Sequence, residues 1–254
     1  GKHGTCSIAS MGEGVDATDI NLPPCQEKFL RQAAALGKPL VAVHLDGRPI
    51  SSDAADQCCA AILECWSPAE VGAQAICDAL LGDYNPGGKL PVSVAYNAGQ
   101  VPVYYAHPWG SGWHQSESIG FPDYVDCPHR PRYAFGFGLS YTSFAYSSLE
   151  ISRKEVPAGE SVQIAFTVEN TGPVPGDEVA QLYVSDVYAS MTRPVKELAG
   201  FARIHLEPGE KKRLIFLLHT SQLAFLDQDM KWKIEHGEIR VEAAASSDDV
   251  RLSG

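Results

Sequence analysis

The sequence predicts α/β plus all-β: a truncated α/β sandwich domain followed by an antiparallel β-sandwich. Three observations predict it. Short continuous apolar runs alternate with stretches of helical period over residues 23–95. From about residue 145 the apolar period changes to two. Residues 96–140 show neither pattern and are rich in Gly, Pro, Tyr, Trp and His.

Residues 1–22 read as loop. Pro23-Pro24 then opens a helix, Pro being tolerated in a first turn. In "CQEKFLRQAAALG", Phe29/Ala33 and Leu30/Ala34 stand at i, i+4, and Gly37 and Pro39 stop the helix. The run "LVAVHL" (40–45) suits a strand covered on both faces, as in a parallel sheet. "AAILECW" (60–66) predicts a second. Ser67, Pro68 and Glu70 predict a capping-box helix start, with the helix running to Gly82. "GDYNPGGKLPVSV" reads as a turn into another strand. It lacks the Gly-Lys-Ser/Thr ending of a phosphate loop, and its glycines precede a strand. About three strands and two helices are fewer than a doubly covered sheet needs. Residues 1–95 are therefore expected to be the end of a larger α/β domain.

In "SVQIAFTVEN", Val162, Ile164, Phe166 and Val168 alternate with Gln163, Ala165, Thr167 and Glu169. "VAQLYVS", "KRLIFLL", "EIRVEAA" and "DVRLS" predict further strands, with turns at "NTGPVPGDE" and "LEPGEKK". Such spacing predicts a sandwich of the immunoglobulin or fibronectin type III kind. "YAFGFGLSYTSFAY" (133–146) reads as a structural linker. The expected division is 1–100, the α/β part; 101–144, long loop and linker; and 145–254, the sandwich.

A net charge of −11 argues against nucleic acid or an anionic membrane as partner. No apolar run reaches membrane-span length. Seven cysteines, all in the first half, form no C-x-x-C pair, and no His-x-x-x-His occurs, so no metal site is expected. No cofactor is expected either. Cys65 and Cys77 read as buried thiols in apolar elements.

Glu13 in "SMGEGVDATD" is the sharpest candidate for chemistry. Flanking glycines let a ligand approach closely, and a carboxylic acid held there is suited to general acid work. On local sequence alone a solvated turn Glu is the ordinary alternative. The spacing of Asp16 and Asp19 does not match an EF-hand. Trp109 and Trp113 in the long loop are candidates for stacking on a sugar face, or for plugging a junction between domains.

As an ordered set, "GEGVDATDINLPPCQEKFLRQAA", "GKPLVAVHLDGRPIS", "AILECWSPAEVGAQAICDALLGDYNPGGKLPVS", "YAFGFGLSYTSF", "GDEVAQLYVSD", "RPVKELAGF" and "LEPGE" resemble the C-terminal portion of a glycoside hydrolase of family 3. The resemblance covers nearly the whole chain. It implies a three-part enzyme: a barrel with the nucleophilic Asp, an α/β sandwich with the acid/base Glu, and a fibronectin type III-like domain. The acid/base position matches Glu13, and the implied mechanism is retaining. The expected function is the C-terminal part of an exo-acting β-glycosidase, first a β-glucosidase and alternatively a β-xylosidase. It would act on a β-linked oligosaccharide or glycoside, need the missing N-terminal barrel domain as partner, and be inactive alone. A non-catalytic carbohydrate-binding or structural protein derived from such an enzyme is the alternative. The expected location is extracellular, with vacuolar or periplasmic alternatives. Ala17 stands where the family often has Arg, and Ala69 where it often has Gly.

Overall fold

The structure is a computed structural model that describes residues 17–109, 124 and 126–254. It divides into two compact units, and the division does not simply follow the chain. The first unit gathers residues up to Tyr84 together with 93–103 and 130–133; the second gathers 85–92, 104–129 and 134–254.

The first unit is the α/β part. Helix α1 spans Pro24–Ala34, with Glu27 in its first turn and Arg31 in its last, both complementing the helix dipole. Strand β1 (Val41–His44) pairs in parallel with β2 (Ala61–Glu64), in a register that sets His44 opposite Glu64. Between them lies α2 (Asp53–Cys58), a helix the sequence pattern does not predict. Its six residues are too few to show a helical period. Its N-terminus is instead satisfied by side chains: the Ser52 hydroxyl accepts from Ala55 N–H at 2.9 Å, and Glu27 of α1 accepts from Ala54 N–H at 3.0 Å.

Helix α3 (Gly72–Leu81) starts later than expected, and the capping box at Ser67 does not form. Trp66 and Ala69 both take the left-handed conformation, at φ 50° and 56°, so the chain turns before it can coil. The Pro68 ring then covers the helix start so closely that a Cβ on Gly72 would lie 2.2 Å from Pro68 Cβ. Cys77 of α3 is exposed, and Cys65 is half-buried, against the expectation of two buried thiols. The strand expected over "KLPVSV" is absent. Val94 makes an isolated bridge with Tyr133, while Leu90 exchanges hydrogen bonds with Phe137 and Gly136, at 2.8 Å each.

The second unit holds the antiparallel sandwich. Its strands are β3 (Phe144–Ile151), β4 (Ser161–Asn170), β5 (Gly176–Asp186), β6 (Glu197–Leu206), β7 (Lys211–His219), β8 (Phe225–Leu226), β9 (Trp232–Lys233), β10 (Ile239–Ser246) and β11 (Asp249–Ser253). One sheet has the order β11-β10-β5-β6 and the other β3-β4-β7; β8 and β9 form a separate small ribbon. The inward residues of both sheets build the hydrophobic core. Ile164, Phe166 and Val168 of β4 meet Leu182 of β5, Leu206 of β6 and Ala243 of β10. Phe166 stacks between Tyr146 and Phe216 at centroid distances of 5.8 and 5.6 Å. The period-two reading of 162–168 holds for Val162, Ile164, Phe166 and Val168, all buried; Ala165 on the alternate face is buried as well.

Candidate functional site

Glu13 and Trp113 lie outside the described residues. What is described is the anchor that receives the chain after Glu13. Asp19 accepts from both the backbone N–H and the side-chain amide of Asn21, at 2.9 and 2.8 Å. The Asn21 N–H holds the Asp19 carboxyl below its ordinary pKa, with the side-chain amide adding to it. Asp19 is thus a turn residue here. Ile20 and Leu22 are then pinned by one residue: Ser51 N–H donates to Ile20 O at 2.9 Å, and Leu22 N–H donates to Ser51 O at 3.0 Å.

Ser51 is itself fixed. It is fully buried, and its hydroxyl donates to Tyr96 O at 3.0 Å. Beside it, the nearly buried Arg132 side chain pairs with Asp53 and Asp56 of α2, while the Tyr133 hydroxyl donates to Asp56. Burial opposes the charge on Arg132, but the two carboxylates outweigh it and raise its pKa. Its guanidinium also lies 4.4 Å from the centre of the Tyr96 ring. Segments near residues 20, 51, 96 and 132 are therefore held in one polar network. The linear sequence carries no sign of it, because every pair is distant along the chain.

Trp109 belongs to the second unit and is half exposed. It directly follows Pro108, which bridges to Pro194. Tyr105, by contrast, is structural: it stacks on Phe135 at 4.3 Å, meets Tyr183 edge-on at 5.8 Å and accepts the Leu198 N–H.

One further cluster lies at the carboxyl ends of β1 and β2, where open parallel sheets place ligands. His44 Nδ1 stands 3.5 Å from Glu64 Oε2 and 3.8 Å from Asp46 Oδ2. The ligand atoms of all three lie within 4.8 Å of one another, the arrangement of a candidate metal centre. The hydrogen bond to Glu64 raises the His44 pKa, against the opposing pull of burial. Burial, then the Glu64 charge, pushes Asp46 up. Sequence reading by C-x-x-C or His-x-x-x-His spacing passes over this cluster. The signal was present in another form: His44 closes β1, Asp46 follows two residues later, and Glu64 closes the next strand.

Two family models match the chain. Residues 3–141 match the model of the glycosyl hydrolase family 3 C-terminal domain, and residues 178–247 that of a fibronectin type III-like domain. A periplasmic beta-glucosidase of Salmonella typhimurium is 41% identical over 90% of this chain and 30% of its own length. A beta-xylosidase of Formosa agariphila is 38% identical over 98% of this chain and 34% of its own. Among solved structures, the Listeria innocua beta-glucosidase in complex with glucose superposes with TM-score 0.87 at 36% identity, over 96% of this chain and 34% of that one. A beta-glucosidase from Erythrobacter marinus gives TM-score 0.86 at 38% identity, over 94% and 31%. The chain spans about a third of the length of the relatives it matches. No helix among the described residues is long and apolar enough to cross a membrane. On the match to residues 3–141, which is more than half of the sequence, the chain belongs to glycosyl hydrolase family 3.

Proposed function

We propose that this chain is the C-terminal part of a retaining exo-β-glycosidase, a β-glucosidase first, and that Glu13 is its acid/base residue. The observation that carries the reading is similarity across nine-tenths or more of the chain to proteins named beta-glucosidase. A strand-end Asp of an N-terminal barrel attacks the anomeric carbon. Glu13 protonates the leaving oxygen and then deprotonates the incoming water, and two carboxylates about 5–5.5 Å apart suit this double displacement. The Ser51 anchor supports the role by holding the chain a few residues beyond Glu13. Exposed Phe29, Val41, Val43, Leu45, Leu80 and Leu81 support a further domain, since a folded unit rarely leaves so much apolar surface uncovered. In this reading residues 1–100 end the α/β domain, 101–144 line and link, and 145–254 support. A β-xyloside is the second substrate reading, favoured by the Formosa relative. A periplasmic or extracellular location goes with it, after the Salmonella relative's name.

In the enzyme completed by its barrel domain, Glu13→Ala is expected to slow aryl β-glucoside turnover on the order of a hundredfold or more, since acid–base catalysis contributes about 10²–10⁴. Added azide restores part of the rate for activated leaving groups. Undiminished turnover of the Glu13→Ala enzyme would move the role to another carboxylate, Glu117 first. The 254-residue chain alone is expected to release no nitrophenol. Trp109 and Trp113 serve as sugar-stacking residues; Trp109→Ala should raise KM with little change in kcat, and an unchanged KM removes it from the subsite.

A further inference from the structure

The triad of His44, Asp46 and Glu64 is built like a ligand set rather than a simple ion pair. Each carboxylate is aimed by the backbone around it. Glu64 keeps one oxygen, Oε1, for the Trp66 N–H at 3.0 Å, which leaves Oε2 facing His44. Trp66 makes that bond from a left-handed backbone, φ 50°. The β1–β2 pairing continues past the strand ends through Cys65 N–H to His44 O at 3.0 Å and Asp46 N–H to Trp66 O at 3.1 Å. This extension fixes Asp46 beside the other two.

The triad by itself is short of positive charge. Asp46 Oδ2 is buried and accepts no hydrogen bond. Even a protonated His44 leaves two carboxylates sharing one positive charge, with side chains only 11–21% exposed. A divalent cation with a neutral imidazole balances both carboxylates. The dimensions suit one. Two ligands each about 2.1 Å from a cation at a tetrahedral angle stand about 3.4 Å apart, against the observed 3.5 and 3.8 Å around Nδ1, with no pair of ligand atoms more than 4.8 Å apart before an ion draws them in. A carboxylate with one oxygen on the metal and the other held by an N–H is the usual outer-shell arrangement. We propose that His44 Nδ1, Asp46 Oδ2 and Glu64 Oε2 bind a divalent transition-metal ion of the Zn²⁺ class at the carboxyl ends of β1 and β2, tying the two parallel strands together. One imidazole with two carboxylates selects such ions over Ca²⁺ or Mg²⁺, which take oxygen ligands.

Co²⁺ is the probe, because its absorption spectrum separates nitrogen and oxygen ligands from thiolates. The distinction matters with Cys58, Cys59 and Cys65 nearby in sequence. The whole chelator-treated chain is titrated with CoCl₂ and its melting temperature followed with and without ZnCl₂. The expected result is one equivalent bound, a visible spectrum without a thiolate charge-transfer band, and a melting temperature raised by Zn²⁺. His44→Gln and Asp46→Asn each weaken binding on the order of tenfold or more, and Cys65→Ser keeps it; circular dichroism confirms that all three variants fold. Absence of Co²⁺ uptake by the unaltered chain, a thiolate spectrum, or equal uptake by a folded His44→Gln or Asp46→Asn variant overturns the proposal. Absence of uptake by the unaltered chain overturns the proposal even if a variant fails to fold, and the two substitutions assign bound Co²⁺ to this cluster.

Discussion

Ala69 holds a backbone conformation that suits glycine better than any residue with a Cβ, at φ 56°. The chain must reverse here between β2 and α3. Ala69→Gly is expected to stabilise the protein by about 0.5–1 kcal/mol, the left-handed strain relieved less the extra freedom of an unfolded glycine. A lower urea midpoint for Ala69→Gly would show that the turn is unstrained. Gly138 presents the opposite case. A Cβ at this position would lie 2.3 Å from the Gly88 carbonyl oxygen, a backbone atom held by the neighbouring bonds between Leu90 and residues 136–137. Gly138→Ala should therefore destabilise by about 1–3 kcal/mol, the usual range for overpacking, and an unchanged midpoint would mean that the two segments separate freely.

Elements whose signal is local were legible, and elements made by contact were not. Helix α1 and strands β4, β5, β7 and β10 follow from apolar period and turn chemistry. Helix α2 and the late start of α3 do not, because Glu27 caps one from another helix and Pro68 covers the other. The missing strand after "GGKLP" belongs with them. Lys89, just before this segment, pairs with Glu178 of β5 at 3.3 Å, and the Tyr146 hydroxyl of β3 donates to the same carboxylate at 2.9 Å. The Glu178 and Lys89 side chains are only 5% and 12% exposed. Burial, with Glu178 alongside, raises the Tyr146 pKa far out of its ordinary range, so its hydroxyl stays a donor. Glu178→Ala is expected to cost about 3–5 kcal/mol by stranding the Lys89 charge, whereas Lys89→Met with Glu178→Leu should recover part of that loss, the Tyr146 hydroxyl still lacking its acceptor. If the single and double variants melt together, the pair does not anchor this segment.

On the scale of the molecule, the core is unevenly distributed. Among the described residues, the first unit buries only Ala42, Ala54, Ala55, Ala79, Val94 and Ala95 of its apolar side chains, while the sandwich buries Phe166, Ile164, Leu182 and Leu206 completely or nearly so. Burying an alanine contributes far less than the roughly 1.5–3 kcal/mol of a large aliphatic or aromatic side chain. Hydrogen exchange should accordingly find the slowest amides in the central strands β4, β5 and β10, and exchange in β1 and β2 faster by orders of magnitude. Equal protection of β1 and β5 would mean that the α/β unit has a stability its buried surface does not explain. A 1–130 polypeptide is expected to lack a sharp thermal transition as a monomer, and a cooperative melt from it would contradict the same reasoning.

By itself the sequence determined the order of fold classes and the family, and it singled out Glu13 as the candidate for acid/base chemistry. These rest on periodicity and on short ordered motifs, which are properties of neighbours along the chain. Tertiary structure alone decided which distant segments meet. Arg132 finds Asp53 and Asp56, Ser51 receives residues 20–22, and a parallel register brings Glu64 to His44 and Asp46. The physical reason lies in the kind of interaction. Apolar burial is non-directional and leaves a repeating trace in sequence, whereas ion pairs and hydrogen bonds between remote segments exist only once the backbone has placed their atoms within a few ångströms.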